Sequence, residues 1–245
     1  MTIIHSASHS PTFNLAAEEY FFSEWKNDLL FLYVNEPSVI IGCNQAIKNE
    51  VDLKFCRNND ILIVRRMSGR VAVFHDFGNL NYRFISNKKE HKSPLNDDFL
   101  KPIVDVLIGL GISVEIGKRK DLWIQGQYKI SGTASHIGNA RELHHGTLLY
   151  DSNLHMLENA LNSKNKDHNV KAINSVQSKV KNIRIYLKEH GQLTTSAEIF
   201  FRLISSKLQF IFDLKGITDL SENEIKSIQQ IKVNKYDLNE WTFKK

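Results

Sequence analysis

The chain has 245 residues, 42% of them apolar, which suffices for one large domain or two small ones with a substantial core. Its 32 Lys and Arg against 27 Asp and Glu leave a net charge of +5, which favours acidic partners, but no basic tract interleaved with aromatics forms a nucleic-acid module. No apolar run of roughly 18 residues marks a membrane span, and the start MTIIHSASHS lacks the apolar centre of a signal peptide.

In chain order, Ser10-Pro11 predicts the start of the first helix, because serine caps well and proline suits the first turn. Ala17, Tyr20 and Phe21 then share a face, with Glu18 and Glu19 off it. Residues 29–34 and 38–41 read as strand, turn, strand around Asn35-Glu36-Pro37. Residues 51–58 read as a short helix that Asn58-Asn59-Asp60 breaks. Cys43 lies in the preceding turn and Cys56 in this helix. Two cysteines without a CxxC pair fit a reducing cytoplasm and argue against a zinc site.

Residues 65–79 read RRMSGRVAVFHDFGN. They predict strand, tight turn, strand, with cations at the turn. Arginine offers a rigid fork of donors suited to phosphate or carboxylate, and Gly69 lets backbone approach a ligand. On these residues alone an anion-binding turn and a hairpin with a solvated basic corner are both open. Residues 80–85 alternate Leu80, Tyr82 and Phe84 with Asn81 and Arg83, which predicts a half-buried strand. Residues 95–110 read as a helix ended by Gly111, with Pro102 accommodated or marking its start.

Short strands follow over residues 113–116, 122–124, 128–131 and 147–150, with Gly126 at a turn. Residues 153–161 look helical, and the polar stretch 163–171 reads as a surface loop. Thr195 and Glu198 have capping-box spacing ahead of a helix to about residue 212, with Phe200, Leu203, Ile204, Leu208 and Ile211 inside. Ser221 and Glu224 repeat that spacing before Ile225 and Ile228. The architecture expected is α/β (α+β), mixed sheets of short strands flanked by helices.

The stretch 65–79 and the later pieces RKDL (119–122), KISGTA (129–134) and HHGTLL (144–149) together resemble the lipoate–protein ligase A family. That family's pattern is RRxSGGGAVFHDxGN, RNDL, K(I/V)SGSA and HHGTLL. FNLAAEE (13–19), IGCNQ (41–45), SVQSKVKNI (175–183) and NEWTF (239–243) match flanking motifs in the family's order. The resemblance covers nearly the whole chain. It implies the catalytic fold shared by biotin and lipoate ligases, related to class II aminoacyl-tRNA synthetases. It also implies a single catalytic domain over 1–245 without the C-terminal accessory domain of two-domain ligases, and a cytoplasmic location.

The implied chemistry has two steps. Lipoate carboxylate attacks the α-phosphorus of ATP to give lipoyl-AMP and pyrophosphate. A lysine ε-amine on a lipoyl domain then attacks the mixed anhydride. The implied acceptors are 2-oxoacid dehydrogenase E2 subunits and glycine cleavage H protein, with a separate accessory-domain protein as a possible further partner. Lys129 matches the motif lysine, whose ammonium can reach acyl and phosphate oxygens in both steps; outside the motif it would read as an exposed strand lysine. Arg66 is expected on ligand phosphate or carboxylate, with Arg65 on the opposite strand face. Arg119 and Asp121 are expected to hold the adenylate, Asp121 also its Mg2+, against the plainer reading of an ordinary ion pair. Ser68, Gly69, Ala72, Val73, Phe74, Asn79, Gly132, His145, Gly146 and Thr147 complete the implied ligand set.

His144 and His145 point to opposite faces of a strand, which argues against one shared metal ion. His75 and Asp76 read as hydrogen-bonding residues that hold their loop, with acid/base work as the other option. Ser68 is a turn residue, since GxSxG is absent. The chain departs from the family where two of three glycines become Arg70 and Val71. A β-branched residue strains at positive φ, so the loop is expected to be displaced outward, the other option being that it closes on ligand with Arg70 on phosphate or carboxylate. An ATP-independent lipoyl or octanoyl transferase and a non-catalytic ligand-binding paralogue are the alternatives.

Overall fold

The computed structural model describes residues 1–88, 98–162, 178–214 and 216–244. In chain order its first half contains β1 (Thr2–His5), α1 (Pro11–Ser23), β2 (Leu29–Tyr33), β3 (Ser38–Ile41), α2 (Ile47–Glu50), α3 (Leu53–Asn58), β4 (Leu62–Arg65), β5 (Val73–His75), β6 (Asn79–Asn87) and α4 (Lys101–Gly109). There follow β7 (Val114–Ile116), β8 (Leu122–Ile124), β9 (Tyr128–Ser131), β10 (Thr133–Ile137), β11 (Arg141–Leu149), α5 (Leu154–Ala160), α6 (Ile183–Glu189), α7 (Ala197–Ile211) and α8 (Glu222–Ile231). A π-helical turn (Lys232–Tyr236) and α9 (Asn239–Thr242) end the described chain. Among the described residues no helix is long and apolar enough to cross a membrane.

The strands form three sheets, ordered β1-β2-β6-β11-β10, β4-β3-β5 and β7-β8-β9. Both faces of the five-stranded sheet are covered. Leu30, Leu80, Tyr82 and Leu148 pack one face against Ile103 and Leu107 of α4 and Phe200, Ile204 and Leu208 of α7. Phe31, Tyr33, Ile85 and Leu143 pack the other against Leu15, Ala17 and Phe21 of α1 and Ile40 and Val64 of the second sheet. Val39, Ile41 and Phe74 turn outward onto Cys56 and Met156. A cleft therefore lies between the two sheets where β3 and β5 face β6 and β11, and the third sheet stands at its mouth.

Several expected elements stand where they were placed. Ser10 caps α1 with Pro11 in its first turn, and Asn153 caps α5. Ser221 and Glu224 close a full capping box. Pro102 sits in the first turn of α4 and so marks its start, while Gly111 follows at φ +77°.

Others differ for physical reasons. β2 and β3 belong to different sheets, because β2 pairs with β6 while β3 is taken up between β4 and β5. For the same reason the stretch 65–79 is no hairpin. β6 is buried on both faces, with Asn81 and Arg83 as inaccessible as its apolar residues, since the second sheet and α1 cover the polar side. Ser196, not Thr195, caps α7; the Thr195 backbone and hydroxyl are drawn to the Tyr150 hydroxyl instead. Phe201 and Ser205 take inner positions in α7, and Leu203 and Ile211 are exposed. β1, α2 and β10 were not foreseen, and β11 begins six residues before the expected 147. The loop expected at 163–171 lies outside the described residues.

Candidate functional site

Arg65, which ends β4, and Arg66, which follows it, part to opposite sides, as alternation along an extended chain requires. Arg65 points backward and is fully enclosed. Its guanidinium donates to the carbonyls of Gly42, Cys43 and Gln45 and, across the sheet, to those of Thr242 and Lys244. The Trp241 indole donates in return to Arg65 O at 2.7 Å. Arg66 points into the cleft. Four of its five N–H groups go to Ser68 Oγ and the carbonyls of Ile40, Gly69 and Val71. It thus frames the loop 67–72 from inside.

That loop carries a left-handed residue at Arg70, φ +68°. Its carbonyl rests where a Gly42 side chain would be, 1.8 Å from an ideal Cβ there, so Gly42 is glycine because the loop lies on it. Arg70 reaches over the cleft mouth and donates to Arg119 O at 3.0 Å.

Beneath the loop runs a buried polar chain. Arg66 Nε donates to Ser68 Oγ, and Ser68 Oγ lies 2.8 Å from His145 Nε2. His145 Nδ1 faces Glu18 Oε2 at 3.6 Å, too long for a hydrogen bond. Glu18 Oε1 takes the Tyr33 hydroxyl at 2.6 Å and Arg83 Nε. Burial alone would raise the Glu18 carboxyl, yet the Arg83 guanidinium, His145 and Tyr33 bring it down to about 2. Burial, with Arg83 beside it, drives His145 down to about 3. The floor is therefore a fixed Glu18–Arg83 ion pair with a neutral imidazole next to it.

The mouth is cationic. Lys129 Nζ stands 3.2 Å from Asp121 Oδ2, because β8 and β9 pair Trp123 with Lys129 and bring residue 121 onto the same face. Burial pushes the Asp121 carboxyl up, but the Trp123 indole and the Lys129 ammonium outweigh it and leave the carboxyl below its ordinary value. The Lys129 backbone is clamped as a parallel bridge to Val180, with Lys129 N donating to Lys179 O at 2.8 Å. Gly132 and Thr147 join twice, through Thr147 N to Gly132 O and Gly132 N to Thr147 Oγ1. The cavity is about 460 Å³. It runs from Arg70, Arg119 and Lys129 at the mouth, past Val71, Val73 and Ala134, to Ile40, His75, Arg83 and His145 at the buried end. A more open cleft adjoins it at Arg119, lined by Gly117, Lys118, Asp121, Trp123 and Lys179.

Residues 10–205 match the family model described as lipoyl protein ligase A/B catalytic domain. The chain is 35% identical to Lipoate-protein ligase LplJ of Bacillus subtilis over 242 residues, 96% of this chain and 71% of that protein. The chain belongs to the lipoate–protein ligase A family. Its fold is that of solved family members. One is the bi-partite lipoate protein ligase studied with its E2 lipoyl domain from Thermoplasma acidophilum, with TM-score 0.82, 23% identity, and coverage of 99% of this chain and 95% of that one. Another is lipoate-protein ligase A bound with ATP, with TM-score 0.81, 21% identity, and coverage of 99% and 98%.

Among the residues that the resemblance to the lipoate–protein ligase A family singled out, Arg66, Val73, Arg119, Lys129, Gly132, His145, Gly146 and Thr147 line the cavity. Asp121 lines the adjoining cleft and meets Lys129. Ser68 stands behind His145, and Gly69 gives Arg66 its carbonyl. Ala72 and Phe74 face the outer core, as alternation about Val73 requires. Asn79 is buried at the start of β6, bonded to Asn81. Asp76 holds its loop through Gly78 N and Asn153 N. His144 stacks on Phe99 and bonds Ser135, so the two adjacent histidines have different surroundings.

The strain expected at Val71 does not arise. The positive φ falls on Arg70 rather than Val71, and Val71 lines the cavity wall. Helix periodicity gave no hint that Glu18 is buried; its place in the family-like FNLAAEE stretch was the available signal. Tyr33 and Arg83 were likewise missed, lying on strands in which a polar group reads as the outer face.

Proposed function

We propose that this lipoate–protein ligase holds the acyl chain of lipoate in the cavity and its carboxylate at Lys129, where ATP activates it to lipoyl-AMP. The carboxylate oxygen attacks the α-phosphorus and pyrophosphate leaves. A lysine amine of a lipoyl-domain protein then attacks the carbonyl and AMP leaves. The observation that carries this reading is a single cavity with three cations at its mouth and an apolar wall of Ile40, Val71, Val73 and Ala134 leading inward. Both steps build negative charge on phosphate or carbonyl oxygen, and a fixed ammonium and guanidinium groups stabilise it most where water is scarce. In this reading Lys129 touches the reacting atoms, and Arg119 and Arg70 touch phosphate.

Among the described residues no group of three or more His, Cys, Asp or Glu could hold a metal ion. Mg2+ takes most of its shell from phosphate and water and needs only one or two carboxylates. Asp121, its charge preserved beside Lys129, fits that part, and the bound ion would offset phosphate charge. The acceptor is read as the lipoyl domain of an E2 subunit or of glycine cleavage H protein, with a separate accessory-domain protein as a further partner. The adenylate route is favoured over a thioester route because neither cysteine lines the cavity and burial lifts the Cys56 thiol to about 11.

Lipoate-dependent ATP–pyrophosphate exchange tests the reading. The parent protein should exchange, and Lys129→Ala should lower exchange and transfer together by roughly a hundredfold or more, the scale of about 3 kcal/mol for a fixed charge stabiliser. Parent-level rates in a folded Lys129→Ala protein would remove Lys129 from the mechanism. Transfer from lipoyl-AMP without exchange would replace the ligase reading by the transferase one.

A further inference from the structure

The buried end of the cavity contains a polar atom that activation does not use. His75 is fully buried and lines the cavity near Ile40, Val73 and His145. Its Nδ1 lies 3.0 Å from Asn35 Nδ2. That amide has only one orientation. Asn14 Nδ2 donates to Ser8 O at 2.9 Å and to Asn35 Oδ1 at 2.8 Å, so Asn35 turns its oxygen to Asn14 and its NH2 to His75. The histidine Nδ1 must accept, and in a neutral ring the proton then sits on Nε2. The ring is neutral, because burial together with Arg83 and Arg66 keeps its pKa well below the ordinary histidine value. The Nε2–H has no hydrogen-bond partner in the protein.

We infer that His75 reads the far end of the acyl chain and selects an acid that ends in an acceptor, the dithiolane of lipoate, over one that ends in hydrocarbon. The inference rests on the reading above, in which the carboxylate lies at Lys129. Lys129 is 27% exposed while His75 is sealed, so the tail of a chain anchored at the mouth is the part that reaches His75. A hydrocarbon tail leaves this buried donor bare. A disulfide sulfur fills the same space and offers lone pairs, a weak acceptor but a polarisable one.

The test is equilibrium binding of the free acids to the full chain by calorimetry, with no nucleotide present. The probes are lipoate, octanoate and cyclopentylpentanoate, in which carbon replaces both sulfurs of the ring. Lipoate should bind about tenfold more tightly than either, a modest share of the penalty for an unpaired buried donor. His75→Leu should close the gap by weakening lipoate alone. His75→Gln, which keeps an N–H at the same depth, should retain most of it. Equal affinity of the parent for lipoate and its carbon analogue overturns the inference even if His75→Leu fails to fold. So does a gap that survives in a folded His75→Leu protein. Loss of pyrophosphate exchange with the binding gap intact would count against the ligase mechanism and leave this inference standing; exchange without a gap would do the reverse.

Discussion

Arg70 stands where the pattern RRxSGGGAVFHDxGN has glycine, and it does so in the left-handed region. An L-residue there costs on the order of 1–2 kcal/mol, offset in part by the flexibility that glycine would give the unfolded chain. The side chain brings a cation to the mouth and a hydrogen bond to Arg119 O. Arg70→Gly should therefore leave stability within about 1 kcal/mol of the parent and weaken the protein's hold on ATP. We expect the KM for ATP in pyrophosphate exchange to rise several-fold with little change in Tm. A faster exchange at unchanged KM would mean that the arginine obstructs the mouth.

At the level of elements, α7 offers a direct check on what pattern reading can and cannot assign. Thr195 and Glu198 have the spacing of a capping box, yet the cap is Ser196, which accepts from Ile199 N. Ser196→Ala should lower stability by about 1 kcal/mol and Thr195→Ala by clearly less on the capping account, read from urea unfolding at constant m. The error has the same root as the larger ones. Local rules locate a helix start to within a residue and identify apolar faces. They do not show that the Tyr150 hydroxyl, 45 positions away, engages Thr195. Nor do they show that Glu18 meets Arg83 across 65 residues, or that β3 inserts between β4 and β5. The site was legible where ordered motifs carried it, at Lys129, Asp121, Arg66 and His145-Gly146-Thr147. It was illegible where a charge is buried by a partner distant in sequence, because a carboxylate off the apolar face of a helix has the same pattern whether it meets water or an arginine.

Across the whole molecule burial holds His5, His75, His136, His144 and His145 below the ordinary histidine pKa. Each of these bases takes up its proton at lower pH in the fold than in the unfolded chain, which gains it once the pH drops under about 6.5. The unfolded state then binds more protons, so stability falls with falling pH, by about 1.4 kcal/mol per pH unit for each full proton of difference. For His145 the loss runs from about 6.5 down to about 3. Glu18, depressed to about 2, adds a further loss below about 4.5, where the unfolded carboxyl is protonated first. The urea midpoint should be steady from pH 8 to 7 and decline steeply from 6.5 to 5. A midpoint that held constant through that lower range would contradict the neutral-histidine interior.

The bonds of Arg65 to Thr242 O and of Trp241 to Arg65 O join residues 177 and 176 positions apart. Closing so long a loop is entropically costly and slow relative to local pairing. On a ribosome these bonds form only after synthesis has passed residue 244, when the central sheet already has all its strands. The guanidinium next in sequence is the one that frames the cavity loop. A nascent chain can thus possess its core well before it possesses a finished cavity, and in time the last contacts made are those directly behind the cavity wall.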